Sequence, residues 1–118
     1  MEIVFPFLPP SVNRCYRTYN NRVYKSKVYN DYLKQMSAFL DNRTDEKIEG
    51  RVSIDVTFYK KDNRRFDLDN RLKSLLDSIE NQLIENDENV CEIRCRKFNG
   101  CLSDKTLLVI TKVEDSDN

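Results

Sequence analysis

Histidine is absent from this 118-residue chain, which removes catalytic triads, imidazole bases and His-ligated zinc and leaves acid–base or metal chemistry to carboxylates, Lys, Tyr or Cys. No run approaches the ~20 apolar residues that span a bilayer. The amino end, MEIVFPFLPPSVNR, has no basic segment ahead of its short apolar stretch, so neither a membrane span nor a secretory leader is expected. A C-x-x-C pair is missing too, and Cys15, Cys91, Cys95 and Cys101 are spaced for neither a zinc ribbon nor a thioredoxin-like motif. The expected setting is a reducing cytoplasm. Net charge is also lacking, with 20 Lys+Arg against 20 Asp+Glu, which argues against a uniformly basic coat for nucleic acid. What the chain does have is 39% hydrophobic and 34% charged residues, enough for a modest core under a charged exterior. Its length suits one domain over residues 1–118.

The zero total conceals blocks of charge. Residues 1–30 carry five basic residues against one acid and 60–73 six against three, while 74–90 hold Asp77, Glu80, Glu85, Asp87 and Glu88 with no basic residue. Basic patches flanking an acidic cluster can attract a polyanion and hold cations at one place, although solvated helix faces give the same pattern.

Glu2 to Phe7 reads as a strand stopped by Pro9-Pro10. Ser26 suits the N-cap of a helix to about Asn42, over which Val28, Tyr32, Met36, Phe39 and Leu40 recur at helical spacing. Arg51 to Tyr59 alternates Val52, Ile54, Val56 and Phe58 with polar neighbours, a strand with one buried face. Leu68, Leu72, Leu75, Leu76, Ile79 and Leu83 describe an amphipathic helix to about Leu83. Val90 to Phe98 and Thr106 to Val113 make two final strands around Asn99-Gly100. In the first of these, Cys91, Ile93 and Cys95 share a face, and the two cysteines are expected in the core. The order β-α-β-α-β-β predicts an α+β fold, a four-stranded mixed sheet with two helices packed on one face, and 114–118 reads as a frayed tail.

Chemistry-bearing residues concentrate where the second helix begins, at Arg64-Arg65-Phe66-Asp67-Leu68-Asp69-Asn70-Arg71-Leu72-Lys73. At ~100° per residue Lys73 lies ~40° around the helix from Asp69, so both project along one polar edge beside the Leu68/Leu72/Leu76 stripe. Asp67 joins them if it stands in the turn leading in. Mg²⁺ takes hard oxygen ligands, commonly one or two protein carboxylates with waters and a substrate phosphate. The same residues fit a structural account: Asp is a common N-cap, acids favour the first turn, and Asp69 with Lys73 makes an i,i+4 pair of ~0.3–0.5 kcal/mol. Arg64 and Arg65 suit phosphate clamps better than caps, and Phe66 suits a hydrophobic staple.

In Asp67-Leu68-Asp69-Asn70 followed by Lys73, then Leu75-Leu76-Asp77, then Glu85-Asn86-Asp87-Glu88-Asn89-Val90, with Pro9-Pro10-Ser11-Val12-Asn13-Arg14 after the first strand, the chain resembles the RusA-type Holliday junction resolvases over nearly its whole length. The resemblance implies a homodimeric, Mg²⁺-dependent endonuclease of four-way DNA junctions, with Mn²⁺ as the alternative ion. By position it makes Asp67 and Asp69 the first two catalytic acids, Lys73 the catalytic lysine and Asp87 the third acid, with Asp67, Asp69 and Asp87 as metal ligands. Where the family commonly has two adjacent aspartates this chain has Asn86-Asp87, and Glu88 stays open as a ligand beside Asp87. Asp77 fits the pattern in either a supporting or a purely structural role. Lys73 would oppose charge growing on the phosphate, with a surface ion pair as the plain alternative.

Basic residues in two places are expected to hold the DNA: Asn13, Arg14 and Arg17 after the first strand, and Lys60, Lys61, Arg64 and Arg65 ahead of the second helix. Their phosphate contacts supply affinity and register. Tyr16, Tyr19, Tyr24, Tyr29 and Tyr32 interleave with the first block, which suits stacking on unpaired bases; Tyr29 and Tyr32 better suit packing of their helix, and Tyr16 and Tyr19 fit either use. A helix from Leu68 to about Leu83 holds its ends ~20–25 Å apart, too far for Asp69 and Asp87 of one chain to meet at one ion. Two such helices antiparallel across a two-fold axis would share sites between the subunits of a homodimer. Two rival readings differ in class: a protein that binds branched DNA without cutting it, and an interaction module whose acidic segments take a basic partner.

Overall fold

The computed structural model describes residues 1–43 and 46–114; of the expected frayed tail, only Glu114 falls within them. Among the described residues the order is β1 (Glu2–Phe5), β2 (Tyr16–Tyr19), β3 (Arg22–Lys25), α1 (Lys27–Asp41), β4 (Val52–Tyr59), α2 (Leu68–Ile79), β5 (Val90–Phe98) and β6 (Lys105–Lys112), with 3₁₀ turns at Val12–Arg14 and Asp87–Asn89. One sheet has the strand order β1-β6-β4-β5. In it β6 pairs antiparallel with β1 and β4, and β4 pairs parallel with β5, because α2 returns the chain across the sheet between those two strands. The four-stranded mixed sheet of the expected α+β fold is present, and β2 with β3 adds a separate two-stranded sheet.

Alternation decides which face is covered. Ile3 and Phe5, then Val52, Ile54, Val56 and Phe58, then Leu108 and Ile110 are buried, in one core with Tyr29, Tyr32 and Met36 of α1 and Leu75 and Ile79 of α2. Both helices therefore pack on that face. Phe39 of α1 meets the rings of Phe5 and Phe7 at centroid distances of 5.1 and 6.2 Å. The helices are joined by a buried 2.8 Å hydrogen bond between the Tyr32 hydroxyl and Ser78 Oγ. Truncating one such core aromatic to Ala costs about 3–5 kcal/mol. α1 starts where Ser26 Oγ accepts the Tyr29 amide at 3.1 Å and ends at Asn42, as its sequence predicts.

Other boundaries differ. β1 stops at Phe5, although Phe7 remains buried. α2 ends at Ile79 rather than near Leu83, because Glu80 is extended and Asn81 takes a left-handed φ of 68°. Leu83 and Ile84 stay buried all the same, so the apolar repeat runs on through a turn that periodicity does not distinguish from helix. Of the two cysteines expected in the core, Cys95 packs against it and Cys91 does not: β5 is an edge strand with a register shift opposite Val52/Ser53. That leaves Cys91 exposed, its thiol donating to the Val52 carbonyl, and Cys95 half-buried. The sequence pattern placed no strands between Tyr16 and Lys25, where the structure has a hairpin. Asn20 and Asn21, at φ 50° and 60°, form the two-residue turn whose twist matches that of paired strands.

Candidate active site

Asp67 occupies the N-cap position of α2 with extended backbone (φ −86°, ψ 118°), yet its side chain makes no capping hydrogen bond. Its Oδ1 instead accepts from Arg65 Nε at 3.3 Å. Asp69, in the first turn, is exposed, and among the described residues its carboxylate has no hydrogen bond or ion pair. A side-chain cap thus accounts for neither acid. Both are positioned by Phe66, buried with its ring 5.5 Å from Phe58 and the Arg71 guanidinium 4.8 Å from its centroid. Phe66 and Arg71 hold the two staple positions around the cap, with a planar cation on the ring face in place of the usual apolar partner.

Lys73 pairs with Asp77 and not with Asp69: Nζ and Oδ1 are 3.0 Å apart. The hydrogen bond to Asp77, reinforced by the charges of Asp77 and then Asp87, holds the Lys73 ammonium above the ordinary lysine range. The side chain is a cation at neutral pH, paired along the helix with Asp77 rather than with Asp69.

Asp87 opens the 3₁₀ turn Asp87–Asn89, which Asn86 caps by accepting the Glu88 amide at 2.8 Å. Asn86 thus has a local task, while Asp87 and Glu88 are left exposed. Glu85 is engaged elsewhere, accepting the Gly50 amide at 2.7 Å. α2 ends at Ile79, so the straight helix to about Leu83 expected to hold Asp69 and Asp87 ~20–25 Å apart is shorter than the sequence predicts, and Asp87 lies near enough to Lys73 in the same chain to favour its charged form. The acids are not gathered tightly, however. Among the described residues no group of three or more His, Cys, Asp or Glu is close enough to hold a metal ion. As a donor set, Asp67, Asp69, Asp87 and Glu88 fit a hard divalent cation, being exposed carboxylates.

The basic loop ahead of α2 is pinned through its backbone. The Lys61 amide donates to Asp104 Oδ1 at 2.7 Å, the Arg64 amide to Asp62 Oδ1 at 2.9 Å, and Asn99 Nδ2 to the carbonyls of Asp62 and Arg64. The Arg64 amide, with the charge of Lys60, holds the Asp62 carboxyl below the usual carboxylate range. Lys61, Arg64 and Arg65 are thereby exposed on a fixed backbone. Lys60 is turned inward, its Nζ 3.5 Å from Asp62 and 5.7 Å from the Phe66 centroid. Asn13 and Arg14 are exposed on their 3₁₀ turn and Arg17 on β2.

Two hydrogen bonds tie the Pro9–Arg14 stretch to α2: Arg71 Nη1 donates to the Pro9 carbonyl at 2.8 Å and Ser74 Oγ to the Pro10 carbonyl at 2.5 Å. Arg71 was not among the residues the sequence singled out, yet its signal is there. It lies ~200° around the helix from Asp69, on the face of Leu75, where a charged group needs partners. With Arg14 it lines a cavity of about 340 Å³ that Tyr32 and Gln35 of α1 also reach, and burial followed by the Arg14 charge lowers its pKa. No helix among the described residues is long and apolar enough to cross a membrane.

The family model described as Endodeoxyribonuclease RusA matches residues 6–110, a span that includes every residue of this site. The chain is also 36% identical over 95 residues to a protein of Enterobacteria phage HK97 named crossover junction endodeoxyribonuclease rusA, covering 79% of this chain and 78% of that protein.

Proposed function

This chain belongs to the RusA family of endodeoxyribonucleases, and on that premise we propose that it is a divalent-metal-dependent endodeoxyribonuclease, one domain that resolves four-way (Holliday) junctions by paired phosphodiester hydrolysis. The observation that carries the reading is the polar edge of α2: two acids not used in capping, Asp67 and Asp69, at the start of a helix whose Lys73 is a cation paired with Asp77. Asp67, Asp69 and Asp87 would hold Mg²⁺, or Mn²⁺ in its place, with Glu88 the alternative to Asp87. When bound, the ion supplies Lewis acidity toward the scissile phosphate and makes a water more acidic. Lys73 opposes the negative charge that grows on the phosphoryl group. Its contribution is electrostatic rather than proton donation, because Asp77 strengthens its hold on the proton. Lys61, Arg64 and Arg65, with Asn13, Arg14 and Arg17, take the DNA backbone, and Lys60 adds its charge from beneath.

The acting unit in this reading is a homodimer with sites shared between subunits. Two observations support it. No three-acid group forms among the described residues of one chain, and apolar surface is left half-covered, with Leu68, Leu72, Leu76 and Val90 partly buried and Ile93 43% exposed. A four-way junction presents two symmetry-related strands, which a two-fold dimer matches. The four free cysteines suit a reducing cytoplasm.

The test is cleavage of a synthetic four-way junction in Mg²⁺ by the wild type and by Asp69→Asn. Paired nicks from the wild type, and none from a variant that binds equally well, are expected. Junction binding by the wild type without nicking, or a variant that cuts at the wild-type rate, would overturn the reading.

A further inference from the structure

The register of the β2–β3 hairpin, Tyr16↔Lys25, Arg17↔Tyr24, Thr18↔Val23 and Tyr19↔Arg22, divides its side chains between two faces. Tyr16, Thr18, Val23 and Lys25 share the first, whose base rests on α1: the Tyr16 ring meets Tyr29 at 5.5 Å, and Lys25 Nζ stands 6.0 Å from the Tyr29 centroid. Arg17, Tyr19, Arg22 and Tyr24 share the second. Tyr19 is 70% and Tyr24 47% exposed, and among the described residues none of these four side chains has an ion pair or ring contact. The fold gains little from such an arm, since a two-stranded ribbon is marginal alone and these rings forgo the stabilisation of burial. Its base is nonetheless fixed: the Ser26 amide donates to the Cys15 carbonyl at 2.8 Å, and Ser26 Oγ to the Arg14 carbonyl at 2.5 Å. No acid occurs between Ile3 and Asn30. The hairpin follows directly on the Pro9–Arg14 stretch, which Arg71 and Ser74 hold against α2, so the arm is anchored beside the helix that carries Asp69 and Lys73.

We propose that the Arg17/Tyr19/Arg22/Tyr24 face binds unpaired bases of branched DNA, the two rings stacking on bases and the two guanidinium groups taking the flanking phosphates. This rests on the nuclease reading and adds to it the element that distinguishes a branch from a duplex. Aromatic rings interleaved with arginines are what sequence-tolerant binding of unstacked bases requires. A continuous duplex offers its backbone to the arginines but keeps its bases stacked on each other, so the tyrosines gain only at a branch or a single strand.

The chain contains no tryptophan, so Tyr19→Trp places a single, selectively excitable indole on this face. Its emission is expected to be quenched by a single-stranded oligonucleotide and by a four-way junction with unpaired thymines at its centre, and to stay unchanged with a fully paired duplex. Tyr19→Ala combined with Tyr24→Ala should weaken binding to the first two by about five- to 150-fold per stacked base, with little change on duplex. Tyr19→Phe should bind as the wild type does, and equal urea midpoints should show that all variants fold. Unchanged emission at saturating junction, or an equal loss on duplex and branched DNA, overturns the proposal; if the wild type still cuts junctions, the nuclease reading survives it. Quenching by single strands without junction cleavage by the wild type supports the hairpin site and removes the nuclease reading.

Discussion

Replacing Asp67 once by Asn and once by Ala separates a helix cap from a metal ligand. Both changes remove the charge, and with it the exposed contact to Arg65 at 3.3 Å and the attraction of an acid to the helix N-terminus, about 0.3–1 kcal/mol. They differ in capping, because Asn caps as well as Asp while Ala does not, a gap of typically ~1 kcal/mol. Since the Asp67 side chain makes no capping hydrogen bond, the two variants should be equally stable within about 0.3 kcal/mol. For urea unfolding with a slope of ~1–3 kcal/mol/M, a cap would separate their midpoints by ~0.3–1 M, and its absence leaves them within ~0.1–0.3 M at the same slopes. Junction cleavage in Mg²⁺ should vanish in both. An Ala midpoint ~0.5 M or more below that of Asn would show that the cap forms in solution, and wild-type cleavage by the Asn variant would remove Asp67 from the metal site.

Arg64→Ala with Arg65→Ala should lower the slope of log affinity against log salt by about two, measured on a four-way junction; an unchanged slope takes both arginines off the DNA surface. Arg96 donates to both carboxylate oxygens of Asp55 at 2.8 and 3.1 Å and holds its pKa below the ordinary value. The resulting stability is present above the unfolded aspartate value of ~3.9 and lost as pH falls through the lower folded one. Asp55→Asn should therefore flatten the loss of stability below pH ~4, and an acid limb identical to that of the wild type would contradict this. Mixing inactive Asp69→Asn with inactive Asp87→Asn and allowing subunit exchange should restore single-strand nicking, because a dimer with shared sites then carries one doubly defective and one intact site; no recovery would place each site within one chain.

Elements with a local signature were legible in the sequence. Ser26 and Asn42 bound α1 where capping chemistry puts them, and β5 runs from Val90 to Phe98 as its alternation predicts. The β2–β3 hairpin carries no such pattern because none of its strand residues is buried, although Asn20-Asn21 between aromatic and basic neighbours was a turn signal available to be read. The end of α2 was hidden by Leu83 and Ile84, which continue the apolar repeat after the helix has stopped. The exposure of Cys91 follows from the edge position of β5, which belongs to the whole sheet and not to the strand. The start of α2 at Asp67-Leu68-Asp69 was legible from the apolar spacing, but Lys73 has an acid four residues away on either side. The local preference for an acid N-terminal to lysine favours Asp69. The structure pairs Lys73 with Asp77, whose carboxylate is only 26% exposed and better shielded from water.

The order of strands also sets when the sheet can be completed. β6 lies between β1 and β4, and Glu2–Phe5 finds its partner only in Thr106–Val109. On a ribosome, β1 is made first and then waits through synthesis of both helices for the strand that will hold it. Until then the Pro9–Arg14 stretch, which Arg71 and Ser74 grip in the finished fold, is joined to a strand with no seat in the sheet. Residues 105–112 must therefore be made before β1 can take its place in the sheet.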